Sequence, residues 1–330
     1  MSAARTGPEP ALSVVVPVFN EEENLPELHA RIVSSVASHE GQTEVVYVDD
    51  GSTDSSVEIV SGWLDDQDVD VLLVKLSRNF GMEIAMSAGL DYASGRHVAL
   101  MHADLQDPPE LLPEMLDAAL EEGADVVYAR RIGRDESALK RMLATTFYGL
   151  MRRMARVPYQ GQAGDFRLMS RRVVEAIRAM PERRRFLRGM VAWVGFEQTA
   201  VHYRRADRHA GRGASYPALL RLALEAMTAF SDVPLQLATL CGTVTAMVSA
   251  LAAVAIAVLS IAGAIEVSGW VWVLAAVLFL SGVQLITTGI LGRYLARVHA
   301  EVLARPLYLV DEVVRSGANV SSEPEPARAR

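Results

Sequence analysis

Cysteine is nearly missing from this 330-residue chain. Cys241 stands alone, so no disulfide forms within one chain and the fold needs none. An excess of positive charge is missing too. The formal net charge of −8 argues against a nucleic-acid binder held by general electrostatics. The opening MSAARTGPEP has no apolar core of the secretory kind, which places the bulk of the chain in the cytoplasm. No GxGxxG follows the first apolar run, which disfavours a dinucleotide oxidoreductase. No QxxRW occurs either, the signature expected of a processive polysaccharide synthase. Charge is absent from two long stretches, between Asp232 and Glu266 and between Glu266 and Arg293. Each exceeds the roughly 20 residues that span a bilayer.

What is present is 51% hydrophobic and 22% charged, a balance that suits a soluble domain joined to a short membrane part. Apolar runs recur from Leu12 to Tyr128: LSVVVPV, EVVYVDD, VDVLLVKLS, RHVALMHAD and ADVVYAR. The segments between them carry apolar residues at helical spacing. This alternation predicts a doubly wound α/β sheet of buried parallel strands, with ligands at the carboxyl ends. A strand-like FEQTAVHYRR follows further on. Residues 1–10 read as disordered, 11–231 as the α/β domain, and 232–292 as two membrane helices near 235–262 and 269–291. The remainder, 293–330, reads as a cytoplasmic segment whose tail, SGANVSSEPEPARAR, is disordered. The turn near GAIEVSG lacks Lys and Arg while the segment after the second run is arginine-rich, so both ends face the cytoplasm. Gly242, Thr243, Ser281, Gly282, Thr287 and Thr288 suit close packing of the two helices. Lys140, Arg141, Arg152 and Arg153, beside Leu143, Phe147, Leu150 and Met154, suit a membrane surface or, equally, a solvated face of a core helix.

Three polar clusters fall where strands should end: PVFNEEEN, DDGSTDSS and HADLQDPPE. Asp49 and Asp50 leave a strand before a turn, where carboxylates accept hydrogen bonds from a base and from ribose hydroxyls; Asp and Gly are also ordinary turn formers. Asp104 and Gln106 alternate around Leu105, offering oxygens on one side to Mg²⁺ or Mn²⁺ bound to a sugar nucleotide. The same string reads as a helix start, with Asp107 as cap and Pro108 or Pro109 in the first turn.

These motifs, with LSRNFG, SAGLDYASG, GDFRLMSRRVV, RFLRGMVAWVGF, AFSDVPL and GILGRYLARVHAEVLARPLY, resemble family 2 glycosyltransferases of the polyprenyl-phosphate type, over nearly the whole chain. The resemblance implies a GT-A type nucleotide-binding sheet with amphipathic juxtamembrane helices and a C-terminal transmembrane hairpin. It implies inverting transfer from a UDP- or GDP-sugar to polyprenyl phosphate for cell-envelope glycosylation. It further implies a multi-pass cytoplasmic-membrane location, with the catalytic domain on the cytoplasmic side, and a homo-oligomer such as a tetramer. Donor-binding positions would be Pro17, Phe19, Glu21, Asp49, Asp50, Asp104, Arg130 and Arg208, and the reacting groups would lie beside Asp165 and Arg167. A metal would sit on Asp104, Gln106 and His102, the last standing where relatives carry an aspartate and able to ligate a metal or to hydrogen-bond a sugar hydroxyl. Imidazole brings no negative charge and favours softer ions than magnesium. In RHAGRGASYP, either Arg212 substitutes for a lysine that relatives carry or the loop grips the donor differently. The competing reading from another class is an inert membrane scaffold that keeps the fold.

Overall fold

A computed structural model of the chain describes residues 9–131 except 38, 40 and 67, then 163–182, 185–203, 247, 251, 269–303 and 305–315. It separates into two compact units. The first holds an eight-stranded sheet of order β7-β5-β6-β4-β1-β2-β3-β8. Its strands are β1 (Leu12–Val18), β2 (Thr43–Asp49), β3 (Asp70–Leu76), β4 (His97–Leu100), β5 (Val126–Arg131), β6 (Ala163–Ser170), β7 (Gln198–Tyr203) and β8 (Val310–Arg315). Its helices are α1 (Leu25–Val36), α2 (Ser56–Ser61), α3 (Met82–Tyr92), α4 (Leu112–Glu122), α5 (Arg171–Ala179) and α6 (Leu187–Trp193).

The apolar runs form strands because each is covered on both faces, which removes the polar alternation of a one-sided sheet. Val14, Val16, Val45, Tyr47 and Leu73 enter one core with α1 and α4. Their chain neighbours Val15, Val46, Val48, Leu72 and Val74 enter the other, with α3, α5 and α6. The two-residue period of a strand thus feeds two cores from one run. Helix α3 lies tight on the sheet at Gly89, where an added Cβ would stand 2.2 Å from Val15 Cγ1.

The sheet differs from the all-parallel expectation. β1 to β4 form one parallel block, but β6 enters antiparallel between β4 and β5, and β7 pairs parallel with β5. The sheet is therefore mixed. Two reversals restore the direction, so β5 and β7 point the same way as β4. The GDFRLMS run hides its strand character because Asp165 and Arg167 interrupt the apolar pattern, and both are buried.

β8 is also absent from the sequence expectation. It pairs antiparallel with β3, closing an edge with residues more than 230 positions downstream. Charge secures it: Arg315 reaches Glu44 at 2.7 Å and Asp70 at 3.1 Å, and Lys75 meets Glu312 at 3.1 Å. Glu44 is fully buried and also accepts from Ser13 Oγ (2.6 Å) and the Ser94 amide (2.9 Å). Tyr308, buried just before the strand, donates to Asp91 at 2.8 Å.

The second unit is represented chiefly by α7 (Gly269–Val302), a 34-residue helix. Among the described residues no helix is long and apolar enough to cross a membrane. The expected span near 235–262 lies almost wholly outside the described residues, and the one near 269–291 falls on α7. Trp270, Val273, Val277, Ile286 and Leu291 are exposed along it. The Thr287 and Thr288 hydroxyls bond to carbonyls four residues back in their own helix. Gly242 and Thr243, the basic segment with Lys140, Arg141, Arg152 and Arg153, and the tail after Arg315 lie outside the described residues.

Two stability measurements follow. Arg315→Ala removes the cation bonded to Glu44 at 2.7 Å and lowers stability by about 2 kcal/mol, read as a fall in the urea midpoint of the full chain. His29 is stacked on Trp63 at 4.1 Å, with Nδ1 on the Tyr47 hydroxyl (2.9 Å) and Nε2 on Asp66 (3.1 Å). Burial lowers its pKa despite the opposing pull of Asp66. Because the folded value lies below the unfolded one of about 6.5, the unfolded chain takes the proton more readily, and stability present above that pH falls as pH drops below it. The urea midpoint is expected to decline from pH 7 to 5, and His29→Gln to make that decline shallower.

Candidate active site

The sheet order makes a crevice before any side chain is considered. β1 leads to β2 and β3 on one side, and the chain then crosses back to β4 on the other. The carboxyl ends of β1 and β4 therefore diverge at a topological switch point, where open α/β sheets bind ligands. Pairing of β1 with β4 ends at Val15 and Leu100, followed by a last bond from the Met101 amide to the Val15 carbonyl. Pro17, the next residue of β1 on that side, has no N–H with which to continue the ladder. Pro17 is a buried strand residue, and its contribution here is to end the pairing and let the crevice open.

The β1 loop and the β2 loop are laced together on one side of this crevice. Asn20, at φ 56°, receives the Thr53 amide on its side-chain oxygen (2.8 Å) and donates its own amide to Ser52 Oγ (3.0 Å). The Glu21 amide bonds Ser56 Oγ (2.9 Å), the Glu22 amide Asp54 (3.2 Å), and the Ser55 amide Glu22 (2.9 Å). Much of the polarity of PVFNEEEN and DDGSTDSS is thus spent on fixing two loops against each other. Phe19 stands exposed from this platform.

Asp49 and Asp50 are both buried and both accept backbone amides. Asp49 closes its own turn on Gly51 (3.2 Å) and Ser52 (3.1 Å). Asp50 reaches across to Phe80 (2.7 Å) and Gly81 (2.8 Å) at the start of α3. Gly51 permits that approach: at φ +76°, an added Cβ would sit 2.8 Å from the backbone of Arg78 and Asn79. Burial raises the Asp50 pKa, and the two amides oppose it. Asp50 thereby anchors the loop before α3, a role its place in an acidic motif did not reveal.

On the other side, β4 ends at Leu100 and HADLQD turns sharply. Leu105 adopts φ 57°, a left-handed conformation that costs a branched residue of order 1–3 kcal/mol. This corrects the expectation of an extended segment with Asp104 and Gln106 alternating to one side. Leu105 packs against the core, Gln106 is buried, and its amide bonds Asp104 Oδ1 at 3.1 Å. Asp107 does not cap a helix. It folds back to accept the His102 amide at 3.2 Å, and the short helical turn at Pro109–Leu111 begins after Pro108.

β6 supplies the third wall. In the β4–β6 register His97 faces Ser170 and Leu100 faces Arg167. Continued two residues, that register sets Asp165 opposite His102, and their side chains stand 3.3 Å apart, Nε2 to Oδ2. That contact is electrostatic, since its direction does not meet hydrogen-bond geometry. Arg188, from the first turn of α6, forks onto both Asp165 carboxylate oxygens through Nε and one terminal nitrogen. Arg167 lies 3.6 Å from the same carboxylate and donates to the Asp165 carbonyl at 3.2 Å. Burial would raise the Asp165 pKa, but Arg188, then His102 and Arg167, hold it far below the carboxylate range. Asp165 is an ionised anchor.

Burial presses the His102 imidazole toward neutrality, yet Asp165, Asp107 and Asp104 outweigh it and raise the pKa above the ordinary histidine value. Burial likewise raises the Glu21 pKa; Asn24 opposes it at 2.7 Å, while Asp104 and Asp54 add to it. Glu21, His102 and Asp104 therefore feel one another across the crevice. Arg130, on β5 beyond a register shift, belongs to the same sheet edge. Arg208 and Arg212 lie outside the described residues. The structure thus brings together Glu21, His102, Asp104, Asp165 and Arg167, and it adds Arg188 and Glu83, which sequence reasoning did not single out. Only the RFLRG run hinted at Arg188, and nothing marked Glu83.

Among the described residues no group of three or more His, Cys, Asp or Glu side chains is disposed to hold a metal ion. The donors do fit a hard cation of the magnesium kind, which uses one or two carboxylates plus substrate phosphates and water rather than an all-protein cage. Asp104 is half-exposed in the crevice, with Gln106 beside it. His102→Asp would add a carboxylate beside Asp165, Asp107 and Asp104. The variant is expected to melt several degrees lower than the parent in EDTA and to gain more from millimolar Mn²⁺ or Mg²⁺. Thermal melts of both proteins with and without metal check this.

A model described as Glycosyl transferase family 2 matches residues 13–178. An uncharacterized glycosyltransferase of Synechocystis is 42% identical over 305 residues, covering 92% of this chain and 95% of that protein. The SfII prophage-derived bactoprenol glucosyl transferase of Shigella flexneri is 40% identical over 301 residues, covering 91% and 97%. Among solved structures, glucosyl-3-phosphoglycerate synthase of Mycobacterium tuberculosis with UDP is similar over 66% of this chain and 78% of that one, at 19% identity and a TM-score of 0.46. The family match over half the chain, and relatives near 40% identity along almost all of it, establish that this chain belongs to glycosyltransferase family 2 and is a transferase enzyme.

Proposed function

We propose that the enzyme transfers a sugar from a nucleotide diphosphate donor to a polyprenyl phosphate, with inversion, at the cytoplasmic face of a membrane. The observation that carries this reading is the Asp165 cluster at the β1/β4 crevice, where Arg188, Arg167 and His102 gather on one carboxylate. Support for the lipid acceptor comes from relatives named bactoprenol glucosyl transferases, from the uncharged runs of the sequence, and from the exposed apolar side chains of α7. The glucosyl transfer in those names makes UDP-glucose the first donor to try.

The chemistry asks little of a base. A phosphate monoester has a second pKa of about 6 and is largely ionised at neutral pH. Asp165, held far below that value, would accept its proton only uphill. Its work in this reading is to orient Arg188 and Arg167, whose forked donors suit phosphate oxygens. Asp104 and Gln106 would hold a Mg²⁺ or Mn²⁺ ion, which when bound neutralises charge on the leaving diphosphate. Phe19 offers an apolar face for the donor, and Glu21 a carboxyl for its hydroxyls.

The test is transfer by the purified full-length enzyme, with polyprenyl phosphate and a panel of labelled sugar nucleotides, read as lipid-extractable label. One nucleotide sugar is expected to give product, EDTA to abolish it and Mg²⁺ or Mn²⁺ to restore it. The anomeric coupling of the product reports inversion, and absence of any lipid product with every donor sinks the proposal. Asp165→Asn is expected to lower kcat by about 100-fold or more, as loss of a charge-fixed arrangement does. Its pH profile should keep the acceptor limb near 6; loss of that limb would make Asp165 the base.

A further inference from the structure

We propose that Glu83 is a positioning residue for the transfer, its carboxylate holding the Leu187 amide at the start of α6 so that Arg188, the next residue, is set on Asp165. The inference rests on the transfer reading above. Glu83 is half-buried in the first turn of α3 and accepts the Leu187 amide at 3.0 Å, a bond joining elements 104 positions apart. α3 is itself fixed to the crevice, because Asp50 holds the Phe80 and Gly81 amides immediately before it.

A continuous path of short bonds thus runs from Asp50 through the α3 start and Glu83 to the α6 start, and from there through Arg188 to Asp165. Helix α6 has only seven residues, and its cap position, Phe186, offers no side-chain bond. A helix this short has little stability of its own, so where it begins depends on such outside contacts. Facing requirements agree. Asp165, Arg167 and Met169 share one face of β6 by strand alternation, and Met169 packs in the core that receives α3 and α6. Asp165, Arg188 and Arg167 are the charges that act on Glu83. Glu83 is thus an acidic neighbour to the arginines of the site.

The experiment compares E83A, E83Q, R188A and the double variant E83A/R188A in the full-length enzyme. E83A is expected to lower kcat by about 30-fold with donor KM within about twofold, as a misplaced catalytic partner does. E83Q keeps an acceptor for the Leu187 amide and is expected to restore kcat to within about threefold. Adding E83A to R188A is expected to cost nothing further, the signature of two residues acting as one. A second readout is independent of turnover: the Nε–H resonance of Arg188, assigned with R188K in arginine-labelled protein, should lose its exchange protection in E83A and regain it in E83Q. Independent, multiplying effects of E83A and R188A, or an Arg188 resonance unmoved by E83A, overturn the proposal. Should the parent enzyme make no lipid-linked product, the transfer reading fails by itself; the Arg188 resonance still decides whether Glu83 sets that side chain.

Discussion

The antiparallel strand β6, set beside β4 at one side of the parallel β1–β4 block, is the constraint on which the site depends. Parallel neighbours bring carboxyl ends to one edge and amino ends to the other, so residues early in a parallel strand lie far from the crevice. Reversing β6 carries its first residues to the active edge. The register that pairs Leu100 with Arg167 then brings Asp165 to His102. Without that reversal GDFR would lie at the wrong end of the sheet. With it, an acidic turn and a basic pair meet across one strand spacing.

Burying that meeting point has a cost that the structure offsets locally. A carboxylate as buried as Asp165 loses hydration worth several kcal/mol, which cations held close against it offset. Arg188 supplies a two-pronged contact, while Arg167 and His102 approach from β6 itself and from the β4 extension. The same low-dielectric setting that makes the cluster expensive strengthens its hold on any anionic group placed against it. The strained backbone at Leu105 belongs to the same economy of position, turning Asp104 into the crevice while its own side chain stays in the core.

The opposite edge of the sheet shows how charge can serve architecture alone. Glu44, Ser13, Ser94 and Arg315 form a polar network at the amino ends of β1 and β2, away from the switch point. They come from β1, β2, β8 and the segment between α3 and β4, so β8 is tied to the start of the sheet by charge as well as by pairing with β3. Both edges contain buried carboxylates matched with arginine. What separates them is the divergence of β1 and β4, which opens a crevice at one edge and leaves the other paired.

Much of this was legible from residues alone. The five apolar runs became strands at the expected places, since a two-sided buried strand needs little beyond continuous apolar sequence. The glycine and acidic turns fell at strand ends because turn chemistry is local, and the family motifs pointed to Asp104, Asp165 and Arg167 as members of one site. Pairing was not legible. Nothing in the order of residues says that β6 runs backward, that β8 joins β3, that Asp50 holds the α3 loop or that Glu83 reaches Leu187. Those are contacts between segments 30 to 240 positions apart. Sequence determined which segments are apolar, which turn, and which carry charge that must be matched. Tertiary structure alone decided which charge meets which, because a buried carboxylate is stabilised by whatever cation the packing brings within hydrogen-bond reach, however distant along the chain.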